Sequence, residues 1–283
     1  MRTFPVLAGT ASLIALAALL PAFALANECR FTAQHDVDVD AAGLTAVAFS
    51  LGSSDVVVEG VPGLSKVEIR GKACASDQEW LAGLSVDQQR SGDRLTVTPH
   101  ADRNVGWHWF GSSYAYIEVH VRVPAALAID IKGSSADAEV SGVASLDFES
   151  SSGDLEARRI AGALISKASS GDIKAADIGS VDVRGTGSGD VELRDVRGDA
   201  HVASAGSGDL HFSNIGGSVH VGSVGSGDIE ISHVDRDAAV DSIGSGDITA
   251  SAIGGDFTVG AKGSGDISHR DVRGKVSVPR ERD

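Results

Sequence analysis

The segment "SVGSGDIEIS", residues 223–232, carries the pattern from which the architecture of this chain follows. Its centre, Gly-Ser-Gly-Asp followed by a β-branched residue, returns in related forms down the second half of the sequence at spacings of 18 or 19 residues. A degenerate copy, "SSADAEV", extends the series by 17 residues upstream, and "GSSDVVVEG" at Asp55 is an isolated earlier one. The aspartates of the series are Asp137, Asp154, Asp172, Asp190, Asp209, Asp228, Asp247 and Asp266. A fixed period of this length is typical of repeat architectures, in which one small unit stacks on the next.

The apolar residues of each unit occupy fixed positions that alternate with polar or glycine positions. In two successive units these positions hold Leu210, Phe212, Ile215, Val219 and Val221, then Ile229, Ile231, Val234, Ala238 and Val240. Apolar residues at i and i+2, twice per unit, predict two short strands with one buried face, and a helical period does not fit. Because so few buried side chains cannot offset the cost of ordering a whole unit, each unit must stack on its neighbours.

Every unit repeats in the same direction, which favours parallel stacking over antiparallel hairpins. The sequence therefore predicts an all-β chain, a single-stranded parallel β-solenoid (β-helix) of about 18–19 residues per coil. A short helix around Trp80, N-capped by Ser76 or Asp77, is expected near its N-terminal end. The expected segments are a signal peptide (1–26), a strand-rich cap with the first coils (27–133), and solenoid repeats with a C-terminal cap (134–283).

The Ser-Gly-Asp corners are interpreted as structural turns. We expect the glycine to adopt a positive φ, and the serine and aspartate side chains to accept hydrogen bonds from nearby backbone N–H groups. A calcium-stabilised solenoid is an alternative, because carboxylates on glycine-rich corners resemble calcium-binding toxin repeats. Those repeats use a shorter unit, and one carboxylate per corner is a small supply of oxygen ligands. No metal and no cofactor is therefore expected.

An enzymatic reading is the other alternative. A carbohydrate-active β-helix enzyme, acting as a polysaccharide lyase or hydrolase, would place acidic groups on one face of the rod. The sequence contains no nucleophile elbow, phosphate-binding loop or metalloprotease histidine pair. A catalytic site is singular, whereas the corner aspartate recurs in every coil, and this repetition favours a structural role.

Two further columns of the repeat hold polar residues. Ser204, Ser223 and Ser242 repeat at one position and are expected inside the coils. His201 and His220 occupy another column in adjacent units. A metal ion there would need a third ligand, so a surface pair of histidines is the preferred interpretation.

The N-terminal segment and the charge of the chain indicate export. Arg2, a following apolar run and the small-x-small motif Ala24-Leu25-Ala26 are typical of a signal peptide, which predicts a periplasmic or secreted protein of the cell envelope. The chain has 39 acidic and 24 basic residues, a net charge of -15, which excludes nucleic acid as a partner. No further apolar run is long enough to span a bilayer after signal cleavage.

The two cysteines, Cys29 and Cys74, predict one disulfide, because an exported protein meets an oxidising environment. A pair of buried free thiols is the alternative.

The segment "NVGWHWFGSSYAYIEVHV", residues 104–121, holds two of the three tryptophans and both tyrosines. Such a cluster is either an exposed loop that contacts a partner or a cap on the end of the solenoid core. The candidate binding residues are Trp107, His108, Trp109, Phe110, Tyr114 and Tyr116.

Three groups of motifs carry a family resemblance: "FSLGSSDVVVEGV" near the start, "YIEVHVRVPAALAIDIKGSSADAEV" at the transition, and the corners "SSGDLEA", "SSGDIKA" and "GSGDIEI". On these residues the chain resembles the bacterial putative-adhesin family of β-strand-repeat domains, a domain of unknown function. The resemblance implies a parallel β-solenoid at the cell envelope and supplies no catalytic or ligand residues. We expect a non-enzymatic scaffold that binds an unknown protein or glycan of the envelope, or self-associates.

Overall fold

The computed structural model describes residues 29–101 and 113–279. Strands account for 66% of it and helix for 2%, and the chain forms a β-solenoid of about 8 turns with about 19 residues per turn. The predicted all-β parallel solenoid is therefore confirmed. The predicted signal peptide lies outside the described residues.

The described residues form 22 strands and one short helix. The strands before the regular coils are β1 (Phe31–Asp40), β2 (Ala46–Gly52), β3 (Val56–Val61), β4 (Lys66–Ala75), β5 (Leu84–Ser91), β6 (Arg94–Ala101) and β7 (Ala115–Pro124). The remaining strands are β8 (Ala128–Gly133), β9 (Ala138–Ser141), β10 (Ser145–Ser150), β11 (Leu155–Ala168), β12 (Ile173–Gly185), β13 (Val191–Val196), β14 (Ala200–Ala205), β15 (Leu210–Ile215), β16 (Val219–Val224), β17 (Ile229–Val234), β18 (Ala238–Ile243), β19 (Ile248–Ile253), β20 (Phe257–Lys262), β21 (Ile267–Val272) and β22 (Val276–Ser277).

Equivalent strands of successive coils pair in parallel and form two walls, which we name wall A and wall B. Wall A consists, in spatial order, of β6, β2, β8, β10, the second halves of β11 and β12, β14, β16, β18, β20 and β22. Wall B consists of β7, β3, β9, the first halves of β11 and β12, β13, β15, β17, β19 and β21. The register places equal positions of the repeat side by side, as in the stack Val196, Ile215, Val234, Ile253 and Val272.

The interior is filled by the alternating apolar residues that the repeat predicts. Leu210, Phe212 and Ile215 are at most 1% exposed. Each such side chain contributes roughly 1.5–3 kcal/mol when it leaves water. The interior therefore stabilises the stack of coils and gives it a fixed register.

One corner of the coil depends on residues with left-handed backbone. In seven successive coils a non-glycine residue has φ between 53° and 59°, namely Arg159, Asp177, Asp195, Asn214, His233, Ala252 and Asp271. This conformation interrupts the strand alternation, so that two outward residues precede each inward one, as before Val196 and Ile215. Asp and Asn tolerate this backbone better than most residues, which accounts for their frequency in the column.

The serine column lies outside the coils, and the expectation that it lines the interior is wrong. Ser204 and Ser223 pair in register and are exposed. The inward position beside each is taken by Ala205 and Val224, which are buried. An interior serine would need a hydrogen-bond partner away from water, whereas an apolar residue needs none.

At the N-terminal end the spatial order of the coils differs from the chain order. The coil formed by β2 and β3 lies between the β6–β7 coil and the β8–β9 coil. Three further strands run antiparallel to their neighbours: β5 pairs with β6, β4 pairs with β7, and β1 pairs with β4. These strands cover the first coil, as a cap does in other solenoids.

A short helix and a disulfide complete this end. The 3-10 helix Gln78–Gly83 begins at Asp77, whose side chain accepts a hydrogen bond from the Glu79 backbone N–H at 3.0 Å. The predicted short helix is thus confirmed. Cys29 and Cys74 form the predicted disulfide, with a Cα–Cα distance of 5.4 Å.

The Ser-Gly-Asp glycines are required for a different reason from the predicted one. Gly189, Gly208 and Gly227 do not lie in the left-handed region, so the expected positive φ is wrong for them, although Gly265 in the last copy has φ +134°. A Cβ built on Gly227 would lie 1.9 Å from the carbonyl oxygen of Gly208 in the preceding coil. The stacked corners therefore approach too closely for any side chain.

Candidate binding surface

The corner aspartates form a hydrogen-bonded column along the solenoid. The Oδ1 atom of each aspartate accepts the backbone N–H of the aspartate one coil later, at 2.8–3.0 Å, starting at Asp55 and ending at the N–H of Asp266. From the sequence, the aspartate was expected to close a turn within its own coil, and this expectation is wrong, because the bond joins two coils. A charged acceptor makes a stronger bond than a neutral one, so the column holds adjacent coils together.

This geometry is unfavourable for calcium. A cation and an N–H donor compete for the same oxygen, and Oδ1 of every column aspartate from Asp55 to Asp247 faces a donor. In residues 29–101 and 113–279, no group of three or more His, Cys, Asp or Glu side chains is arranged to hold a metal ion.

His201 and His220 stack on the outer face of wall A. Their ring centroids are 5.1 Å apart and their planes differ by 15°. His201 Nδ1 lies 2.9 Å from Asp182 Oδ1, and His220 Nε2 lies 3.1 Å from Asp241 Oδ1. Each ring therefore directs one nitrogen to its own carboxylate, which fits the predicted surface pair of histidines.

An open groove of about 320 Å³ runs beside the first corners of wall B. Lys174 supplies a basic group, and the carboxylates that line the groove are Asp55, Asp137, Glu139, Asp154, Glu156 and Asp172. The hydrogen bonds of the aspartate column engage one oxygen each of Asp55, Asp137, Asp154 and Asp172. The groove is thus mainly an acidic surface that repels anionic ligands.

Two carboxylates on the outer face of wall A are register neighbours. Asp147 lies beside Asp130 in the adjacent coil. Partial burial raises the pKa of Asp147. The neighbouring carboxylates Asp130 and Glu149 raise this pKa further, and the positive charge of Arg184 lowers it. Arg94 forms an ion pair with Asp130. Two neighbouring carboxyl groups, one of which has a raised pKa, are an arrangement that glycosidases use.

The aromatic segment is only partly described. Trp107, His108, Trp109 and Phe110 lie outside the described residues. Tyr114 and Tyr116 lie inside them: Tyr114 directly precedes β7, and Tyr116 is the second residue of that strand.

Both tyrosines belong to the outer face of the capped end. Tyr116 is 40% exposed, while the adjacent Ile117 points inward and is 1% exposed. The rings of Tyr114 and Tyr116 have centroids 6.1 Å apart and planes tilted by 43°. Because Tyr116 points away from the interior, it does not fill the end of the core.

The tyrosine pair is fixed by the chain around the disulfide. The Arg30 backbone N–H donates to the Tyr114 hydroxyl at 3.2 Å, and the Tyr116 hydroxyl lies 3.7 Å from Cys29 Sγ. Tyr116 pairs in register with Cys74. Burial raises the pKa of Tyr116, and Glu118 and Tyr114 add to the rise, so its hydroxyl stays protonated at neutral pH. The surface thus presents the rings and hydroxyl groups of two tyrosines whose positions are fixed by these contacts.

Two features escaped the sequence reasoning. The left-handed column, which includes Asp195 and Asn214, had a signal in the recurrence of Asp and Asn before the last apolar residue of each unit. The neighbour relation of Asp130 and Asp147 had none, because "AIDIKG" and "SLDFES" share no corner motif that would align them.

No helix of the described residues is long and apolar enough to cross a membrane. A family model described as Toastrack DUF4097 matches residues 75–278. No curated protein matches the sequence.

Three crystal structures are similar in fold. One from Bacteroides fragilis, described as a "putative adhesin", is 17% identical, with 88% of this chain and 98% of that chain covered and a TM-score of 0.37. A "putative lipid binding protein" from Parabacteroides distasonis is 14% identical, with 88% and 97% covered and a TM-score of 0.47. A "putative cell adhesion protein" from Clostridium sporogenes is 12% identical, with 89% and 100% covered and a TM-score of 0.27. At these values the likeness carries no argument about function.

Proposed function

We propose that this chain, which belongs to the Toastrack DUF4097 family, is a non-enzymatic, exported scaffold of the cell envelope that binds a glycan at its strand-capped end. The observation that carries the proposal is the outward, 40% exposed Tyr116 beside a disulfide. Large aromatic side chains exposed on a rigid support are typical of binding surfaces. Export, to the periplasm or beyond the cell, rests on the signal-peptide motif of residues 1–26.

A glycan fits the chemistry of the tyrosine pair. The apolar face of a sugar ring packs against an aromatic face, and the phenolic hydroxyl donates to sugar oxygens. The net charge of -15 repels anionic polymers, so we expect a neutral or amino-substituted glycan. The other predicted binding residues, which precede the tyrosines in the chain, are proposed to contact the same glycan: Trp107, His108, Trp109 and Phe110.

Binding of the mature protein to neutral and amino-sugar polysaccharides, measured by calorimetry, tests this function. Tyr116→Ala should weaken binding about tenfold, since aromatic anchors contribute more than about 1.4 kcal/mol each. Tyr116→Phe keeps the ring and should retain most of the affinity. Glu230→Ala, an exposed change on a distant coil of wall B, is the matched control.

The paired change Trp107→Ala with Trp109→Ala separates a binding loop from a cap. A binding loop predicts reduced affinity with an unchanged strand signature in circular dichroism, whereas a cap predicts loss of both. If glycans bind none of these proteins, or bind Tyr116→Ala and the tryptophan variant as tightly as wild type, the glycan proposal is wrong. A protein captured through the same tyrosines would replace the glycan as ligand.

A carbohydrate-active enzyme is the second candidate, and it is favoured by the raised pKa of Asp147 beside Asp130. Incubation with pectic and bacterial polysaccharides would then release new reducing ends, and Asp147→Asn would abolish the release. We expect no product from either protein, and product from wild type alone would reverse the assignment.

A further inference from the structure

Both ends of wall B present a strand that is paired on one side. Within residues 29–101 and 113–279, β1 pairs with β4 alone and β21 pairs with β19 alone. Unpaired N–H and C=O groups along such an edge favour pairing with another chain. In the part of the chain that the structure describes, the sheet of wall B therefore has one open edge at each end.

The two ends have complementary steps. At the N-terminal end, β5 extends the sheet of wall A beyond β6 and β4 extends that of wall B beyond β7, and β1 adds one more strand beside β4. At the C-terminal end, β20 and β21 form one coil, and β22 extends wall A by one more strand. A β1 edge placed beside β21 would thus fill the recess next to β22.

The strand directions also match. β1 is antiparallel to β4 and β4 is antiparallel to β7, so β1 has the direction of β7 and of every later strand of wall B. A second copy displaced along the axis would pair its β1 in parallel with β21, as each coil pairs with the next. Outward residues that pair in register form one row along the length of wall B. This row begins with Asp38, Glu68 and Arg122 and ends at Arg270.

The two edges carry opposite charge. β1 contains Asp36, Asp38 and Asp40, all exposed, and no lysine or arginine, although Asp38 is already paired with Lys66 and Arg70 of its own chain. The last coil, residues 257–275, has four basic and two acidic residues, whereas the preceding coil, residues 238–256, has three acidic residues and no basic one. Contact of a basic edge with an acidic edge is attractive, and contact of two like edges is repulsive.

We propose that copies of this protein associate head to tail, with β1 of one copy pairing with β21 of the next. The inference rests on the proposed function of an envelope scaffold, because an end-to-end array multiplies the tyrosine surface along one rod. Such a contact joins different surfaces and does not close on itself, so it extends into a filament. Each added copy extends both walls, with its antiparallel strands β4 and β5 near the junction.

The test uses two variants of the full mature chain that each block one end. The first, Arg270→Glu with Lys275→Glu, makes the β21 end acidic. The second, Gln34→Arg with Asp36→Arg, makes the β1 edge basic. We expect wild type to form assemblies whose mass grows with concentration in sedimentation velocity, and each variant alone to associate at least about tenfold more weakly.

Mixing the two variants restores complementary ends, so the mixture should assemble as wild type does. Arg194→Glu and Glu230→Arg, exposed changes on middle coils of wall B, are the matched controls and should leave assembly unchanged. Circular dichroism checks that every variant is folded.

A monomeric wild type at all concentrations overturns the inference, as does a dimer that does not grow. Assemblies that the end variants leave intact, or that the mixture does not restore, also contradict it. Glycan binding by a strictly monomeric protein would retain the proposed function and remove only the filament.

Discussion

At one end of the solenoid, β4 and β5 run against the direction of the coils and cover β7 and β6, whereas at the other end the strand that follows β21 in the described residues is the two-residue β22. The first end has fully buried inward residues, such as Val67 and Ile69 on β4. The second end has His269 in the column that holds Ile231 and Ala250, and this histidine is exposed.

The difference shows two ways in which a parallel stack can stop. Additional chain that does not follow the repeat can cover the last coil, at the cost of ordering more residues. Alternatively, the last unit can keep its backbone and exchange an apolar residue for a polar one, so that less apolar surface faces water. Here each end uses one of these solutions.

The largest loss of stability is expected from a substitution in the middle coils. Gly227→Ala places a Cβ 1.9 Å from the Gly208 carbonyl oxygen, and both neighbouring coils hold that backbone. We expect a loss of more than about 4 kcal/mol in the free energy of unfolding, or no folding, measured by urea denaturation. Gly63→Ala, at φ +76° with nothing within 4 Å of the added Cβ, is the control and should cost about 1 kcal/mol. If the two variants lost equal free energy of unfolding, the requirement for glycine at the corner would be explained by backbone conformation and not by the close contact.

Reduction of the disulfide should weaken the N-terminal end and leave the C-terminal end unchanged. The Cys29–Cys74 bond closes a loop across 45 positions. On the chain-entropy model its loss costs about 4 kcal/mol. Hydrogen exchange after reduction should show faster exchange in β1 and β4, with unchanged rates in β19 and β21. Uniform acceleration along the rod would mean that the two ends are coupled.

The aspartate column should matter less at its last member. Asp228→Ala removes the acceptor for the Asp247 backbone N–H and should cost about 2 kcal/mol, because that N–H loses a charged acceptor. Asp266→Ala removes the final side chain of the column and should cost less than about 0.5 kcal/mol. Thermal melts of the two variants make the comparison. Similar losses would contradict a column that acts from coil to coil.

The smallest effect is expected from pH at the β1 edge. Lys66, then Arg70, holds the pKa of Asp38 below its ordinary value. The lowered pKa means that the Asp38 ion pairs stabilise the attachment of β1 above about pH 3.9, and that this stabilisation is lost as the pH falls through the folded pKa. Hydrogen exchange of β1 in wild type and Asp38→Asn should differ at neutral pH and converge in acid. A difference that persists in acid would exclude the ion pairs as its cause.

The regular part of the fold was predictable because one local signal repeats. The alternation of Leu210, Phe212 and Ile215 indicates inward strands, and the common direction of the units indicates parallel stacking. The cysteine pair and the Asp77 cap likewise have direct sequence signals. Each of these depends on residues close together in the chain or on a single possible pairing.

The remaining features depend on contacts between coils that the period does not contain. The glycine at each corner was expected to allow a positive φ. It is required instead because a side chain there would collide with a carbonyl oxygen 18 or 19 residues away, in the preceding coil. The aspartate side chain was expected to bond locally, but its donor is in the next coil. Of the candidate binding surface, Tyr114 and Tyr116 were named from composition, and the structure adds that they lie beside the disulfide.

The position of the β2–β3 coil has a consequence for the order of folding. Its corner accepts hydrogen bonds from Ser134, which is 82 residues from Gly52 in the chain. Closing that loop costs about 1.3 kcal/mol more entropy than closing one 19-residue repeat. The regular coils therefore form from contacts close in sequence and are expected to assemble first. The coil formed by β2 and β3 is synthesised first, but it needs later strands on both sides of it and is therefore expected to close late.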